Sequence, residues 1–438
     1  MATSKLSRRE FMRLAMIASG GAALAACAPK VASTTSPVEE VAAEDVVLSI
    51  MDNWGAEGDG KAPPLHAAFQ NFMASNPGIE IKEEVFGDKE IPTKVTTMFL
   101  AGDEPDLVFQ NLHHSALEWL DDGVTIEMTD LVKGWGLYDL LKPSAVTEWT
   151  DGKGRLQAVP LEGYTWPVWY NTKILDEVGV KIPNTTDELI DAATKIRAAG
   201  YQPFTTGGMD WDGQFVFFLT VASMLSDSEV VELYSKGGFS KNANAVAGVE
   251  AFVKMRDSGV FIDNVEGNTI AASNEAFYTE KAAMMHGGSW FFSQCPNDIK
   301  DHVALGGLPL PAGSPHSKPV IYASFEAKGL WVTRNGAKKM DSVEKFIKFF
   351  YQPEVMATFV EQAAMTSPLI DTPVDESKLD NLFVKSNQML SDVEVSLIHK
   401  VYIPQAVNAN LLRVANETYI PGTSAETILA HLDEVYTV

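Results

Sequence analysis

At 438 residues, with 46% apolar and 21% charged side chains, the chain is too long for one ordinary core and has the composition of a soluble two-domain protein. Its 58 acidic against 34 basic side chains give a formal net charge of −24, which disfavours nucleic acid and anionic membrane as partners and suits an uncharged ligand. The two cysteines, Cys27 and Cys295, stand apart in kind, and no disulfide framework or Cys-x-x-Cys site is expected.

Residues 1–26 read as a targeting segment. Ser7-Arg8-Arg9-Glu10-Phe11-Met12-Arg13 resembles a twin-arginine export motif, and the apolar run from Leu14 to Ala26 is too short to span a bilayer stably. Leu24-Ala25-Ala26-Cys27 has the small-residue pattern of a lipoprotein processing site, so Cys27 is the expected lipidation site. Cys295 is then unpaired and reads as a small packed residue. Residues 27–45, rich in Ala, Ser, Thr, Pro and Glu without apolar periodicity, are expected to form a flexible tether.

The folded body opens with a strand, Val46 to Met51, then a helix from Pro63 to Ser75 with Leu65, Ala68, Phe69 and Phe72 on one face. Asn76-Pro77-Gly78 turns into an alternating strand through Ile79, Ile81 and Val85. A helix from Ile91 to Ala101 stops at Gly102, and Leu107 to Phe109 is the next buried strand. Strands alternating with helices predict an α/β layer with a mostly parallel sheet, in which ligands bind at the carboxyl ends of strands. That rule singles out Asn53 and Trp54 after the first strand, and Gln110, Asn111, His113 and His114 after the third.

The central stretch from Asp151 to Glu188 begins with a short strand, Leu156 to Pro160, and continues through Tyr164, Trp166, Trp169 and Tyr170. Alternation turns Trp169 and Tyr170 inward. Thr185 and Glu188 have capping-box spacing for a helix whose buried face is Leu189, Ala192, Ala193, Ile196 and Ala199, with Gly200 as its stop. Helices follow at Phe215 to Met224, Val230 to Tyr234 and Ala245 to Met255, then a buried strand, Ala282 to Met285. Gly287-Gly288-Ser289-Trp290 is expected to turn tightly and present an indole at a strand end. Strands near Leu305 to Leu310 and Gly329 to Thr333, a helix from Ser342 to Tyr351 and a mostly helical C-terminus complete the chain.

A family resemblance runs through these segments. Gly-Lys-Gly-Arg-Leu-Gln-Ala-Val-Pro at 152–160, Trp-Tyr-Asn-Thr-Lys at 169–173 and Gly-Val-Lys-Ile-Pro-Asn-Thr-Thr-Asp-Glu at 179–188 resemble the central signature of extracellular solute-binding proteins of carbohydrate ABC transporters. Ala-Gly-Asp-Glu-Pro-Asp-Leu-Val at 101–108, Glu-Lys-Ala-Ala-Met-Met-His-Gly-Gly-Ser-Trp at 280–290 and Gly-Leu-Pro-Leu-Pro at 307–311 match in the same order. The resemblance implies a two-lobed periplasmic-binding-protein fold with the ligand cleft between lobes. It places 46–160 with 321–360 in lobe 1 and 161–320 with 361–438 in lobe 2. It also implies capture of a sugar or oligosaccharide, delivery to ABC permease subunits by hinge closure, a monomer, and no cofactor. Compared with maltose-binding protein, a distant relative, Gln110, His113, Tyr164, Asp210 and Trp290 fall at ligand-site positions, and only Trp290 keeps the residue type.

Sugars are flat on their C–H faces and ringed by hydroxyls, so a site for them needs aromatic plates and groups that make several hydrogen bonds. On that chemistry Trp54, Trp166, Trp211 and Trp290 are the candidate plates, and Asn53, Asn111, Asp210 and Glu326 the candidate hydroxyl partners. Trp119, Trp135, Trp149 and Trp331 are left as packing. Strand ends short of Arg and Lys favour a neutral ligand over a sugar phosphate. Motifs for a nucleophile elbow, a phosphate loop or a zinc helix are missing, and adjacent His113 and His114 point apart, so neither an enzyme nor a metal site is expected. A polyol or sugar-phosphate binder, a glycan-acting enzyme with a carboxylate pair, and a receptor lipoprotein that docks another protein remain as alternatives.

Overall fold

Apolar alternation and helical periodicity place the first elements where the residues predict them. In the computed structural model, which describes residues 45–57, 59–112 and 114–437, β1 (Val46–Asp52) leads to α1 (Ala62–Ser75), β2 (Ile79–Val85), α2 (Ile91–Ala101) and β3 (Leu107–Gln110). α1 starts on Pro63 and Pro64, whose missing amides cost nothing in a first turn, and buries Leu65, Ala68, Phe69 and Phe72. α2 stops where Gly102 takes a left-handed conformation at φ 82°.

Two sheets organise the body. The larger contains β1 to β3 together with β4 (Val159–Trp166), β9 (Val320–Val332) and β10 (Glu394–Ser396), in the order β10-β9-β3-β1-β2, with β4 on the other side of β9. The smaller contains β5 (Val168–Asn171), β6 (Gln202–Thr205), β7 (Ala282–His286) and β8 (Val303–Gly306), in the order β6-β7-β5-β8. Both sheets are mixed rather than mostly parallel. β1 pairs parallel with β2 and β3, and β6 with β7, but β9 runs antiparallel to β3 and β4, and β5 antiparallel to β7 and β8. Pro167 separates β4 from β5, so the aromatic stretch leaves one sheet and enters the other within a single residue.

Each sheet has its own core. Leu48, Ile50, Val108, Phe109, Phe346 and Phe350 pack around the larger; Tyr170, Leu189, Phe204, Phe217, Phe252 and Met284 pack around the smaller. The β4–β9 ribbon belongs to both: Val159, Leu161, Leu330 and Trp331 lie in the first core, whereas Tyr164, Trp166, Val320 and Tyr322 lie in the second. Its pairing shifts register around Glu162, between Pro160 and Tyr164. A second shared segment runs through Phe359 and Met365, in the first core, and Val360 and Ala364, packed under the smaller sheet.

The helix after the central stretch, α3 (Thr186–Ala198), carries the full capping box between Thr185 and Glu188 and buries Leu189, Ala192, Ala193 and Ile196. Trp169 and Tyr170 are fully buried, and Trp119, Trp149 and Trp331 pack edge to face in the first core. Cys295 is buried, and that burial pushes its thiol up to about 12, which makes it inert at neutral pH. Cys27, the export segment and the tether up to residue 44 lie outside the described residues. No helix among the described residues is long and apolar enough to cross a membrane.

Candidate ligand-binding site

The loop after β1 is folded by Asp52, whose Oδ1 accepts from the Gly55 amide at 2.8 Å. That turn drives the Trp54 ring inward, against Phe109 at 5.5 Å and Phe359 at 5.6 Å between centroids, so Trp54 is 1% exposed. The loops after β2 and β3 bring Asp88 and Asn111 together, Asn111 Nδ2 donating to Asp88 Oδ2 at 3.0 Å. Between the two sheets these loops face a cavity of about 660 Å³, well within the size range of small-molecule pockets.

One wall of the cavity is aromatic. Trp166 and Tyr164 end β4; Trp211 and Phe215 open α4 (Trp211–Ala222) one turn apart; Trp290 sits on the short helix Ser289–Gln294. Trp166 is the hub, with centroids 5.2 Å from Trp211, 5.1 Å from Trp290 and 4.6 Å from Phe215. Beneath it the His286 ring stacks at 4.7 Å and 19°, and Nδ1 of that ring lies 3.1 Å from Asp212 Oδ1. Trp166 is therefore 3% exposed, while Trp211 and Trp290 are half-buried and offer the open ring surface.

The charged part of the lining is balanced. Four lysines, Lys61, Lys89, Lys328 and Lys400, line the cavity with four carboxylates, Asp59, Asp88, Glu162 and Glu326. Lys61 pairs with Glu162 at 3.0 Å, Lys400 with Glu326 at 2.7 Å, and Lys328 with Asp88. Burial works against the charge on Lys61, yet Glu162 and Asp59 hold its pKa above the ordinary value. Tyr164 donates to Glu326 Oε1 at 2.7 Å, and burial, reinforced by the Glu326 charge, holds the phenol well above its usual range. Polar atoms of four lining residues are buried with no partner among the described residues: Asn53 Oδ1, Trp166 Nε1, Gln214 Oε1 and Asn408 Oδ1. Orphaned polar atoms in a cavity wall mark places where a ligand completes the hydrogen bonding.

Eight residues singled out from the sequence converge on this cavity: Asn53, Trp54, Asn111, Tyr164, Trp166, Trp211, Trp290 and Glu326. Trp54 and Trp166 do so as buried supports rather than open plates. Gln110 and Asp210 are not among the lining residues. The Gln110 side chain is buried and its Nε2 reaches Asn111 Oδ1 at 3.1 Å, so it braces Asn111. Asp210 stands before α4, and its Oδ2 accepts from the Ile270 amide at 2.9 Å, tying two helix starts together. His113 lies outside the described residues.

The lysines were missed because they are scattered over 340 positions of chain and meet only through the fold. Gln214 carried a readable signal, three residues after Trp211 on the same helical face.

Gly287 and Gly288 act through space rather than through a left-handed turn. Gly288 has φ −77°, but a Cβ there would lie 2.2 Å from the Trp290 ring. Gly288→Ala is accordingly expected to displace the indole and weaken ligand binding by about tenfold, the size of one aromatic contact, with little change in melting temperature. Paired calorimetric titrations and melting curves check this.

Beside the site, burial pushes the Asp52 carboxyl up to about 7 from its ordinary 3.8; the Gly55 amide opposes the shift and the Glu83 charge adds to it. A proton held more tightly in the folded state stabilises the fold fully below pH 4. That contribution declines between pH 4 and 7 and is absent above about 7. Asp52→Asn is expected to flatten this part of the stability profile, measured by urea unfolding from pH 4 to pH 8.

Two sheets joined by a shared ribbon, with a mixed aromatic and polar cavity between them, define a two-lobed solute-binding protein. Residues 56–357 match the family described as bacterial extracellular solute-binding protein, and the chain belongs to that family. It is 25% identical over 361 residues to the multiple sugar-binding protein of Streptococcus mutans, covering 79% of this chain and 80% of that one. It is 27% identical to a probable sugar-binding periplasmic protein of Rhizobium meliloti, where the match spans about half of each chain, 47% and 49%. Among solved structures, a probable secreted solute-binding lipoprotein from Streptomyces coelicolor superposes with a TM-score of 0.81 at 34% identity, over 91% of this chain and all of that one. A chitin oligosaccharide binding protein shares the fold at a TM-score of 0.75 and 18% identity, over 89% and 98% of the two chains.

Proposed function

We propose that the chain captures a neutral sugar or oligosaccharide outside the cytoplasmic membrane and delivers it to ABC permease subunits by hinge closure. The observation that carries this reading is the cavity itself, lined by half-buried Trp211 and Trp290 together with equal numbers of lysines and carboxylates. Carboxylates fixed by lysines are strong acceptors for hydroxyls, and the lysines are donors, yet together they add no net charge. A phosphorylated sugar would need several uncompensated cations; among the described residues no arginine lines the cavity, and three of its four lysines, Lys61, Lys328 and Lys400, are paired with carboxylates. The named ligands of the Streptococcus and Rhizobium relatives, both sugar-binding, support the same chemistry.

The lobes in this reading are 46–160 with 321–360, and 161–320 with 361–438. The β4–β9 ribbon is the hinge, since it changes core halfway along and is irregular at the changeover. Ligand contacts to both lobes then shift the population toward the closed form, which the permease recognises. A lipid on Cys27 holds the monomer at the outer face of the membrane, in keeping with the lipoprotein from Streptomyces coelicolor. Binding without turnover is supported by three of the four lining carboxylates, Glu162, Asp88 and Glu326, each being tied to a lysine.

A thermal-shift screen tests the reading with maltotriose, raffinose, xylotriose and chitotriose beside glucose 6-phosphate and sorbitol. A bound sugar at about 100 times its Kd stabilises by about 2.7 kcal/mol. At roughly 2–4 °C per kcal/mol for domains of this size, the midpoint rises by about 5–10 °C. Shifts from glucose 6-phosphate alone would discard the neutral sugar and keep the fold.

A further inference from the structure

Gln214 is a lining amide whose orientation the surrounding structure fixes. Asn416, on α5 (Gln405–Glu417), donates from Nδ2 to the Gly208 carbonyl at 2.7 Å and to the Asp210 carbonyl at 3.2 Å. Backbone carbonyls only accept, so the Asn416 amide has one orientation and its Oδ1 is turned to Gln214. Gln214 Nε2 donates to that oxygen at 2.6 Å, which commits the amino group and leaves Oε1 as the end that meets a ligand. Gln214 is 9% exposed, lines the cavity one turn from Trp211, and its Oε1 has no partner among the described residues. A buried carbonyl oxygen in this position is satisfied by a hydrogen-bond donor and repelled by a second acceptor.

We propose that Gln214 is a specificity-determining residue that selects ligands presenting a hydroxyl hydrogen at its Oε1, with Asn416 as the positioning residue that keeps its amide from turning over. The proposal rests on the sugar reading above and sharpens it. A sugar hydroxyl satisfies Oε1; an ether oxygen or an ionised phosphate oxygen brings only lone pairs to it. Asn416 touches no ligand in this arrangement and acts through Gln214, since it is not among the residues that line the cavity.

The test is calorimetric titration of the purified protein and its variants with maltotriose, raffinose and xylotriose. Wild type is expected to bind at least one of the three. Gln214→Leu is expected to weaken that binding by about 10- to 100-fold, the range for leaving a ligand hydroxyl and its site unpaired, and Gln214→Met, which keeps the length of the side chain, by the same range. Asn416→Ala is expected to weaken binding less in the wild-type background and to have no further effect when added to Gln214→Leu, because coupled residues do not add. Wild-type affinity in Gln214→Leu and Gln214→Met would overturn the assignment of Gln214 while leaving the sugar reading intact. Full additivity in the double variant would overturn the positioning role of Asn416. Absence of wild-type binding to all three sugars, with binding of glucose 6-phosphate, would overturn the neutral-sugar reading, and unchanged glucose 6-phosphate affinity in Gln214→Leu would then overturn the assignment of Gln214 as well.

Discussion

Trp290→Ala is expected to weaken sugar binding by about 2–4 kcal/mol, roughly 30- to 1,000-fold, the cost of removing a central aromatic anchor. The indole is half-buried and packs edge to face on Tyr164 at 5.3 Å and on Trp166 at 5.1 Å, with Trp211 tilted at 5.9 Å. It is thus held by neighbouring rings, Phe291 at 5.8 Å among them, while it also lines the cavity. Truncation removes the plate and loosens its neighbours, so both ligand contact and preorganisation are lost. Trp290 sits at the edge of its core, so the melting temperature without ligand should fall little. Calorimetric titration beside thermal unfolding separates the two effects; a large loss of stability with unchanged affinity would assign Trp290 to packing alone.

Lys400→Met is expected to have the largest effect on the fold. It removes the cation from Glu326, which is 1% exposed and pairs with Lys400 Nζ at 2.7 Å on Oε2 and with the Tyr164 hydroxyl at 2.7 Å on Oε1. A buried carboxylate stripped of its counter-charge costs about 3–5 kcal/mol. The same strand holds Ser324 and Phe325, which donate to Glu148 at 2.6 Å each, so a second carboxylate stands close by to raise the penalty. Glu326→Gln added to Lys400→Met removes the stranded charge and is expected to recover most of the loss. Urea unfolding of the single and double variants measures this, and equal destabilisation in both would show that the pair carries no electrostatic weight.

Much of the fold could be read from local pattern. β1, α1, β2 and α2 fall within one or two residues of the alternation, the prolines and Gly102, since each signal is local to its element. β9 was legible only from Gly329 onward. Its first half, through Tyr322, Ala323 and Ser324, takes its pairing from β4 and β10, which are distant in sequence. The mixed sheets escaped notice for the same reason, because strand direction here is set by Pro167 and by the return of β9 rather than by any βαβ pattern.

The site divides along similar lines. Large aromatic residues at strand ends pointed to Trp211 and Trp290, but sequence could not tell them from Trp54 and Trp166, whose rings other residues cover. The Asp52 turn buries Trp54, and the His286 stack with its aromatic neighbours buries Trp166. The three lysine–carboxylate pairs join positions 61 with 162, 88 with 328, and 326 with 400, contacts that only the assembled ribbon creates.

In the proposed function a sugar closes two lobes about the β4–β9 ribbon. Small-angle X-ray scattering of the protein, alone and saturated with a neutral oligosaccharide whose binding calorimetry has established, tests it most directly. Closure is expected to give a smaller radius of gyration in the saturated protein. An unchanged radius at full saturation would contradict it.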